Sequence, residues 1–569
     1  MDRKFFSELY THIKKIYKTL SPERVIVLWI FIFLSLASFF SALVIFNNKF
    51  LITTPAYGGE IYEGIIGTPR FINPILATSE QDKDLTSLIY AGITKKDDLG
   101  NIILDMGESI VESDDKLSYR VTLKSDAFFH DGKKVTADDV IHTINLVQSP
   151  VIKSPYRIEW EGVSVQKESD TEITFTLKKP YPLFRSILTL GILPKHVWES
   201  LTEEQFSLSD YNIHAIGSGP YAIETINTVS GIPTNFVLQA HNRYTLGRPY
   251  IKRIFINSYS NEKNLIQAFT KGYIDRIHGV SPDTITELGV SDKNITTSLL
   301  PRTFTVFFNP NKEEALSDKQ VRFALEKAIN KQAIVDTVLQ KYGKAIDTPY
   351  AFDDTQADTA LYNVEEARTL LAKSRGLKNS STSTISLTLT TANTEEMKKV
   401  AEMIQADWQA IGVETTLAVY EVADLNQTII KDRDFQVLLF GSITKSPADL
   451  YAFWHSSQRS FPGLNISNYV SNALDKNLET LRNESDEVAR IEAYDSVKDE
   501  FRDETPGIFL FAPSLIYITR DDAITLLPKY SFDSASRFAL IHTWYRYQEK
   551  VWPKTYYKKS IENLQNILK

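Results

Sequence analysis

Residues Val25 to Phe46 read VIVLWIFIFLSLASFFSALVIF, an apolar run without a single charge. As a helix it would extend about 33 Å, enough to cross a bilayer core. Arg3, Lys4, Lys14, Lys15, Lys18 and Arg24 precede it, and only Lys49 stands nearby on the far side. The positive-inside rule then predicts residues 1–24 in the cytoplasm, a transmembrane anchor over 25–46, and an extracytoplasmic remainder. A cleaved signal peptide and a buried core helix are the alternatives. The run and its leader are long for a signal peptide, and no small-x-small cleavage site follows. The run also lacks the polar punctuation of a core helix. An uncleaved anchor at the cell membrane is therefore the expectation, with residues 47–58 as a linker.

A chain of 569 residues exceeds one compact core and predicts about two to four domains. The net charge is −8, and seven of the 63 Lys/Arg lie within the first 56 residues, so the rest is more acidic still. Nucleic-acid binding, which needs a basic field, is not expected. There is no cysteine. That removes disulfides, thiolate metal sites and thiol nucleophiles, and also the lipid-modified cysteine that anchors many bacterial surface proteins.

The nine histidines (12, 130, 142, 196, 214, 241, 278, 455 and 542) show no metalloprotease spacing. There is no Gly-x-Ser-x-Gly elbow and no phosphate-loop motif. No catalytic residue, metal ligand or cofactor is named, and an enzyme is not expected.

Beyond the linker, strand-like and helix-like stretches alternate. Gly59–Ile66, Leu117–Leu123 and Ile173–Leu177 read as strands, and Asp84–Ala91 as a helix. Thr136 followed by Asp139 is close to a capping box for a helix over Thr136–Val147. Ser317–Asn330, Lys331–Gln340, Glu395–Ile411 and Glu487–Asp503 read as helices. Ile385–Thr390 reads as a strand after the Ser/Thr-rich loop Asn379–Ser383. Phe435–Phe440 is a near-continuous apolar run, as in a strand buried on both faces. Ile508–Phe511 and Leu515–Thr519 read as two strands that return to the first lobe, and Tyr556–Lys569 as an amphipathic helix. The pattern predicts two α/β lobes with an inserted β-rich piece.

The segment Tyr119–Ile144, YRVTLKSDAFFHDGKKVTADDVIHTI, resembles the signature of the peptide/nickel-type solute-binding proteins of ABC importers (oligopeptide- and dipeptide-binding, family 5). Its turn is Phe129-His130-Asp131-Gly132, and Thr136-Ala137-Asp138-Asp139-Val140 opens the helix. Further blocks follow in the family's order: Phe71–Pro74, Leu88–Ile93, Ile192–His196, Gly217–Tyr221, Asn242–Pro249, Gly272–Asp275, and Phe308-Asn309 with Asp318 to Ala328. Gly132 suits a tight turn. His130, in a strand-to-helix turn, reads as a structural hydrogen-bonding residue rather than a catalytic one.

The resemblance implies a two-lobed periplasmic-binding-protein-like α/β fold (type II, cluster C-like) with an inserted third subdomain, preceded by the transmembrane helix. The implied division is lobe I over 59–107, 217–300 and 515–548, an inserted subdomain over 108–216, lobe II over 301–514, and a helical tail over 549–569. It implies a solute, most simply a peptide, enclosed between the lobes, and ABC permease subunits with a cytoplasmic ATPase as partners. An anchored sensor or scaffold is the alternative, and a secreted hydrolase ranks last.

The candidate ligand-binding residues are Thr68, Pro69, Arg70 and Phe71 in the early loop, Arg302 and Thr303 at the lobe crossover, and Gly441, Ser442, Ile443, Thr444, Lys445, Asp449 and Trp454 after the strand Phe435–Phe440. Peptide-binding relatives commonly carry an Asp four residues after this Gly, where it meets the peptide's amino terminus. This chain has Lys445 there, which opposes a cationic amine and either meets a carboxylate or phosphate or, with the loop shifted in register, points to solvent. Asp449 stands four residues on. Trp454, with Tyr451 at helical spacing, reads either as an aromatic wall or as a core face.

Overall fold

The computed structural model describes residues 10–11, 14–15, 19–353, 362–374, 385–484 and 486–553. The loop Asn379–Ser383 and the tail Tyr556–Lys569 lie outside the described residues. Numbered in chain order, the first strands are β1 (Ile52–Ala56), β2 (Glu60–Ile66), β3 (Thr94–Lys96), β4 (Ile102–Leu104), β5 (Gly107–Glu112), β6 (Ser118–Leu123), β7 (Val163–Lys167) and β8 (Glu172–Leu177). Next come β9 (Tyr221–Val229), β10 (Ile232–Ala240), β11 (Arg253–Tyr259), β12 (Arg276–His278) and β13 (Ile295–Leu299). Then follow β14 (Arg302–Phe308), β15 (Gly343–Ala345), β16 (Ile385–Ala392), β17 (Val413–Tyr420), β18 (Val437–Ile443), β19 (Gly507–Thr519) and β20 (Tyr547–Val551).

The chain divides into two units. The smaller joins residues 1–56 to residues 547–569. Its helix α1 (Pro22–Phe50) opens on Pro22, whose missing N–H costs nothing in the first turn. The stretch Pro22–Asn47 is long and apolar enough to cross a membrane, and its apolar window is unburied, with Phe33 at 72% and Phe40 at 69% exposure. A helix that is apolar all round, unburied and near the N-terminus is a candidate signal or anchor. After Leu51, β1 pairs antiparallel with β20, from Ile52↔Val551 to Ala56↔Tyr547. Two expectations are corrected here. The linker over 47–58 is the end of α1 followed by β1, and the tail from 549 begins as strand. The pairing satisfies backbone groups that a bare linker would leave to water.

The larger unit is Tyr57–Arg546. Its main sheet runs β17-β16-β18-β14-β19-β12-β2-β11-β10-β9, and β13 and β15 also pair with β19. A separate four-stranded sheet, β5-β6-β8-β7, occupies the predicted insertion. Alternation along the central strands explains why their sequences are apolar throughout. In β14, Val306 and Phe308 enter one core and Phe307 another. In β18, Val437 and Leu439 face the first of these and Leu438 the second. β19 repeats the pattern with Ile508 and Leu510 against Phe509. A further core gathers Ile61, Leu85, Val140 and Phe175 from β2, the helices α2 (Glu80–Ile89) and α3 (Ala137–Gln148), and the four-stranded sheet, together with Trp160 from the short turn of helix Arg157–Trp160.

The two strands predicted over 508–519 are one strand, β19. Pro513 suggests a break because it has no N–H to donate. It sits where the partners change: its carbonyl accepts from Leu300 N–H at 3.0 Å, and around it the pairing passes from β15 to β13. β19 therefore reaches from the β14–β18 region to the β12–β2 region without interruption. The chain makes the same passage at Leu300–Pro301, between β13 and β14.

Candidate ligand-binding cavity

Five stretches far apart in sequence line a cavity of about 780 Å³. The β3–β4 hairpin supplies Lys95, Lys96, Asp97 and Leu99. The segment from Tyr156 to Leu190 supplies Tyr156, Glu159 and Tyr181. From the second half of the chain come Tyr350, Phe352, Lys445, Ser446 and Asp449, and finally Tyr530, Phe532 and Asp533. Aromatic contacts fix one wall. Phe352 stacks on Tyr530 at 4.5 Å between centroids, meets Phe532 edge-on at 5.3 Å, and meets Tyr350 edge-on at 5.6 Å. Such a cavity, aromatic with a few placed charges, is the usual form of a small-solute site.

A buried polar cluster borders the cavity through Lys95, Asp105 and Tyr244. Lys95 Nζ donates to Tyr244 Oη at 3.0 Å, Tyr244 donates to Asp105 at 3.0 Å, and Thr245 donates to the other Asp105 oxygen. Burial pushes the Asp105 carboxyl up, while Lys95 and the two hydroxyls oppose the shift. Lys96 also lines the cavity, its Nζ 3.2 Å from the centroid of the Phe532 ring. Burial, then the nearby charge of Lys445, pushes the Lys96 ammonium down to about 8. Burial also raises the Glu159 carboxyl, against the pull of Lys445.

Of the residues expected at the site, Lys445 and Asp449 line this cavity. Asp449 Oδ2 accepts the N–H groups of Lys445 at 2.7 Å and Ser446 at 2.9 Å, so the carboxylate holds its own turn. The turn is tied down further: Thr444 N–H donates to the Pro301 carbonyl at 2.9 Å.

The other expected residues stand elsewhere. Arg302, Thr303, Gly441, Ser442 and Ile443 are cross-strand neighbours on the β14–β18 ladder, where the Thr303 and Ser442 hydroxyls share a hydrogen bond of 2.9 Å. They are not among the cavity-lining residues. Neither are Thr68, Pro69, Arg70 and Phe71: the N–H groups of Arg70 and Phe71 donate to Asp82 at 2.6 and 2.9 Å, which pins that loop to α2. Trp454 is core, 3% exposed, and stacks on Phe307 at 5.6 Å.

The motifs around the cavity are structural. Asp139 accepts from Thr136 N–H at 2.8 Å and from Lys195 N–H at 2.8 Å, capping α3 and fastening a neighbouring segment. His130 Nδ1 lies 3.3 Å from Gly217 N, and its Nε2 lies 3.2 Å from the Gly219 carbonyl. Accepting at Nδ1 leaves Nε2 to donate, so the ring is neutral. Burial pushes His130 down to about 3. A Cβ on Gly217 would lie 2.1 Å from the Ile89 carbonyl oxygen, so the segment GSGPY needs glycine for close backbone approach.

The model of the bacterial extracellular solute-binding proteins, family 5, matches residues 73–461. The chain belongs to that family. Oligopeptide-binding protein AppA of Bacillus subtilis is 28% identical over 479 residues, covering 81% of this chain and 87% of AppA. Among solved structures, the ABC-transporter substrate-binding protein CtaP of Listeria monocytogenes superposes with a TM-score of 0.73 at 25% identity, over 86% of this chain and 99% of CtaP. AppA in complex with a nonapeptide superposes with a TM-score of 0.62 at 26% identity, over 87% of this chain and all (100%) of AppA. Members of this family bind solutes for transport. The fold is thus the two-lobed one, preceded by one apolar helix that is a candidate signal or anchor.

The hairpin lysines, Glu159 and the Tyr350–Phe532 wall were not expected at the site. Nothing local in Lys95-Lys96-Asp97-Asp98 separates a solvated charge run from a cavity rim.

Proposed function

We propose that this chain is the extracytoplasmic binding component of an ABC importer, capturing peptides in the cavity and delivering them to a permease. The observation that carries the reading is the cavity itself. Its walls come from both sides of the crossover at Leu300–Pro301 and β19, in a family whose relative AppA holds a nonapeptide. The lobes take the limits given above: lobe I over 59–107, 217–300 and 515–548, the insertion over 108–216, and lobe II over 301–514. Movement about the crossover strands closes the cavity over the ligand, and differential affinity for the closed form drives closure. The chain acts as a binder rather than an enzyme, and the permease and its ATPase supply the transport work.

The exposed apolar helix α1 supports retention as an uncleaved anchor with the N-terminus in the cytoplasm. The full chain, purified in detergent under gentle conditions, should release peptides detectable by native mass spectrometry. A saturating peptide should also raise its unfolding free energy, by about 2.7 kcal/mol at a hundred times Kd. A protein that retains no peptide and is stabilised by none would refute the reading.

A further inference from the structure

Two cations line the cavity from opposite sides of the crossover, near enough for the charge of one to act on the other. Lys96 ends β3, in the first part of the fold, and Lys445 follows β18, in the second. Among the described residues, neither ammonium has a carboxylate within ion-pair distance, although ion pairs are frequent elsewhere in the protein.

The carboxylates beside them, Asp449 and Asp533, attract Lys96 from beyond ion-pair distance, and each is hydrogen-bonded within its own turn. Asp449 Oδ2 holds two backbone amides, and Asp533 Oδ1 accepts from Ser536 N–H at 3.0 Å and from its hydroxyl at 2.8 Å. Glu159 lies on the same cavity and feels the charges of both Lys445 and Asp449. Lys96 rests instead on the Phe532 ring face, a weaker counter-charge than a carboxylate. Lys445 disfavours the charged form of Lys96, and the distant carboxylates offset this only in part, so the two ammoniums repel in a partly desolvated space.

We propose that a carboxylate of the bound solute seats between Lys96 and Lys445 and is the counter-ion that allows the cavity to close. This rests on the peptide reading and narrows it: the solute is recognised at an acidic group, its carboxyl terminus or an acidic side chain, rather than by its amino terminus. Lysine ammoniums are compact point charges, so they select for negative charge and tolerate varied geometry. That suits a binder of mixed sequences.

The test uses the full chain in detergent with libraries of short random peptides lacking Asp and Glu. One library has free termini, one is N-acetylated, and one is C-amidated. A further amidated library contains Glu. Retained mass in native mass spectrometry and thermal stabilisation are read for each. The free and acetylated libraries should bind alike, and the Glu-free amidated library about tenfold more weakly, which is the loss of one charge-assisted contact. Recovery with the Glu-containing amides identifies a side chain as a competent source of the carboxylate, and no recovery assigns the role to the carboxyl terminus.

Lys96→Gln with Lys445→Gln should bring acetylated and amidated libraries to within about twofold, and Lys445→Glu should reverse the preference. Equal binding of the Glu-free amidated and acetylated libraries, or a preference that survives the double replacement, overturns the proposal and leaves the peptide reading intact. No binding of any library overturns the peptide reading itself.

Discussion

Arg537 donates to Glu63 at 3.0 Å with both side chains wholly buried, joining a segment near the end of the fold to a strand at its beginning. Its terminal nitrogens also meet Asp84 at 2.7 and 2.8 Å, and Tyr517 donates to Glu63. Removing one partner of such a group strands the others without counter-charge. Arg537→Met should lower the unfolding free energy by about 3–5 kcal/mol in urea titrations. Adding Glu63→Gln and Asp84→Asn should recover part of the loss. A single variant as stable as the native chain would show the cluster to be dispensable.

Trp454 separates packing from binding. It stacks on Phe307 and meets Phe501 and Phe509 edge-on, away from the cavity wall. Trp454→Ala should cost about 3–5 kcal/mol of stability. The affinity of the folded protein for bound peptide should change by less than about threefold. Tyr181→Ala, at the cavity wall, should do the reverse: little loss of stability and about tenfold weaker binding in calorimetric titration.

Two histidines give stability a measurable pH slope. Burial pushes His130 and His542 down to about 3, so each is neutral in the fold where the unfolded chain is protonated. Below the ordinary histidine range the unfolded state binds more protons, and stability falls as pH drops from about 6.5 toward 3. Each contributes up to about 1.4 kcal/mol per pH unit across that window. Unfolding of His130→Gln and His542→Gln over the same range should show a slope reduced by that amount. An unchanged slope would show that neither ring stays neutral in the fold.

The absence of native cysteine makes the register of β1 and β20 directly testable. Thr53 faces Lys550 across the pair. Thr53→Cys with Lys550→Cys should form a disulfide on mild oxidation, seen as a gel shift of the intact chain, because directly opposed residues lie within bonding reach. Thr53→Cys with Gln548→Cys should form it far less, and equal yields would refute the register.

Most of the fold was legible because it is local or periodic. The apolar run α1, the capping pair Thr136 and Asp139, and the doubly buried β18 are written in consecutive residues. The single strand over 507–519 was not legible, since Pro513 interrupts its pattern and the exchange of partners that carries the strand through that point is a tertiary fact. At the candidate site, Lys445 and Asp449 were legible through an ordered resemblance. Lys96, Glu159 and Phe532 were not, because nothing in the sequence brings residues separated by hundreds of positions to one cavity. Arg302 and Thr303 sit in the right strand, but cross-strand pairing with Ile443 and Ser442 takes them into a ladder rather than to the wall.

β19 stands between β14 and β12 in the sheet, yet it is made of residues 507–519. During synthesis, both neighbours leave the ribosome some two hundred residues before the strand that joins them, each with an unpaired edge. Exposed edges of that kind invite wrong pairing. Residues 507–519 therefore act as a late-arriving keystone, and a nascent chain stalled short of them has two half-sheets and no common spine.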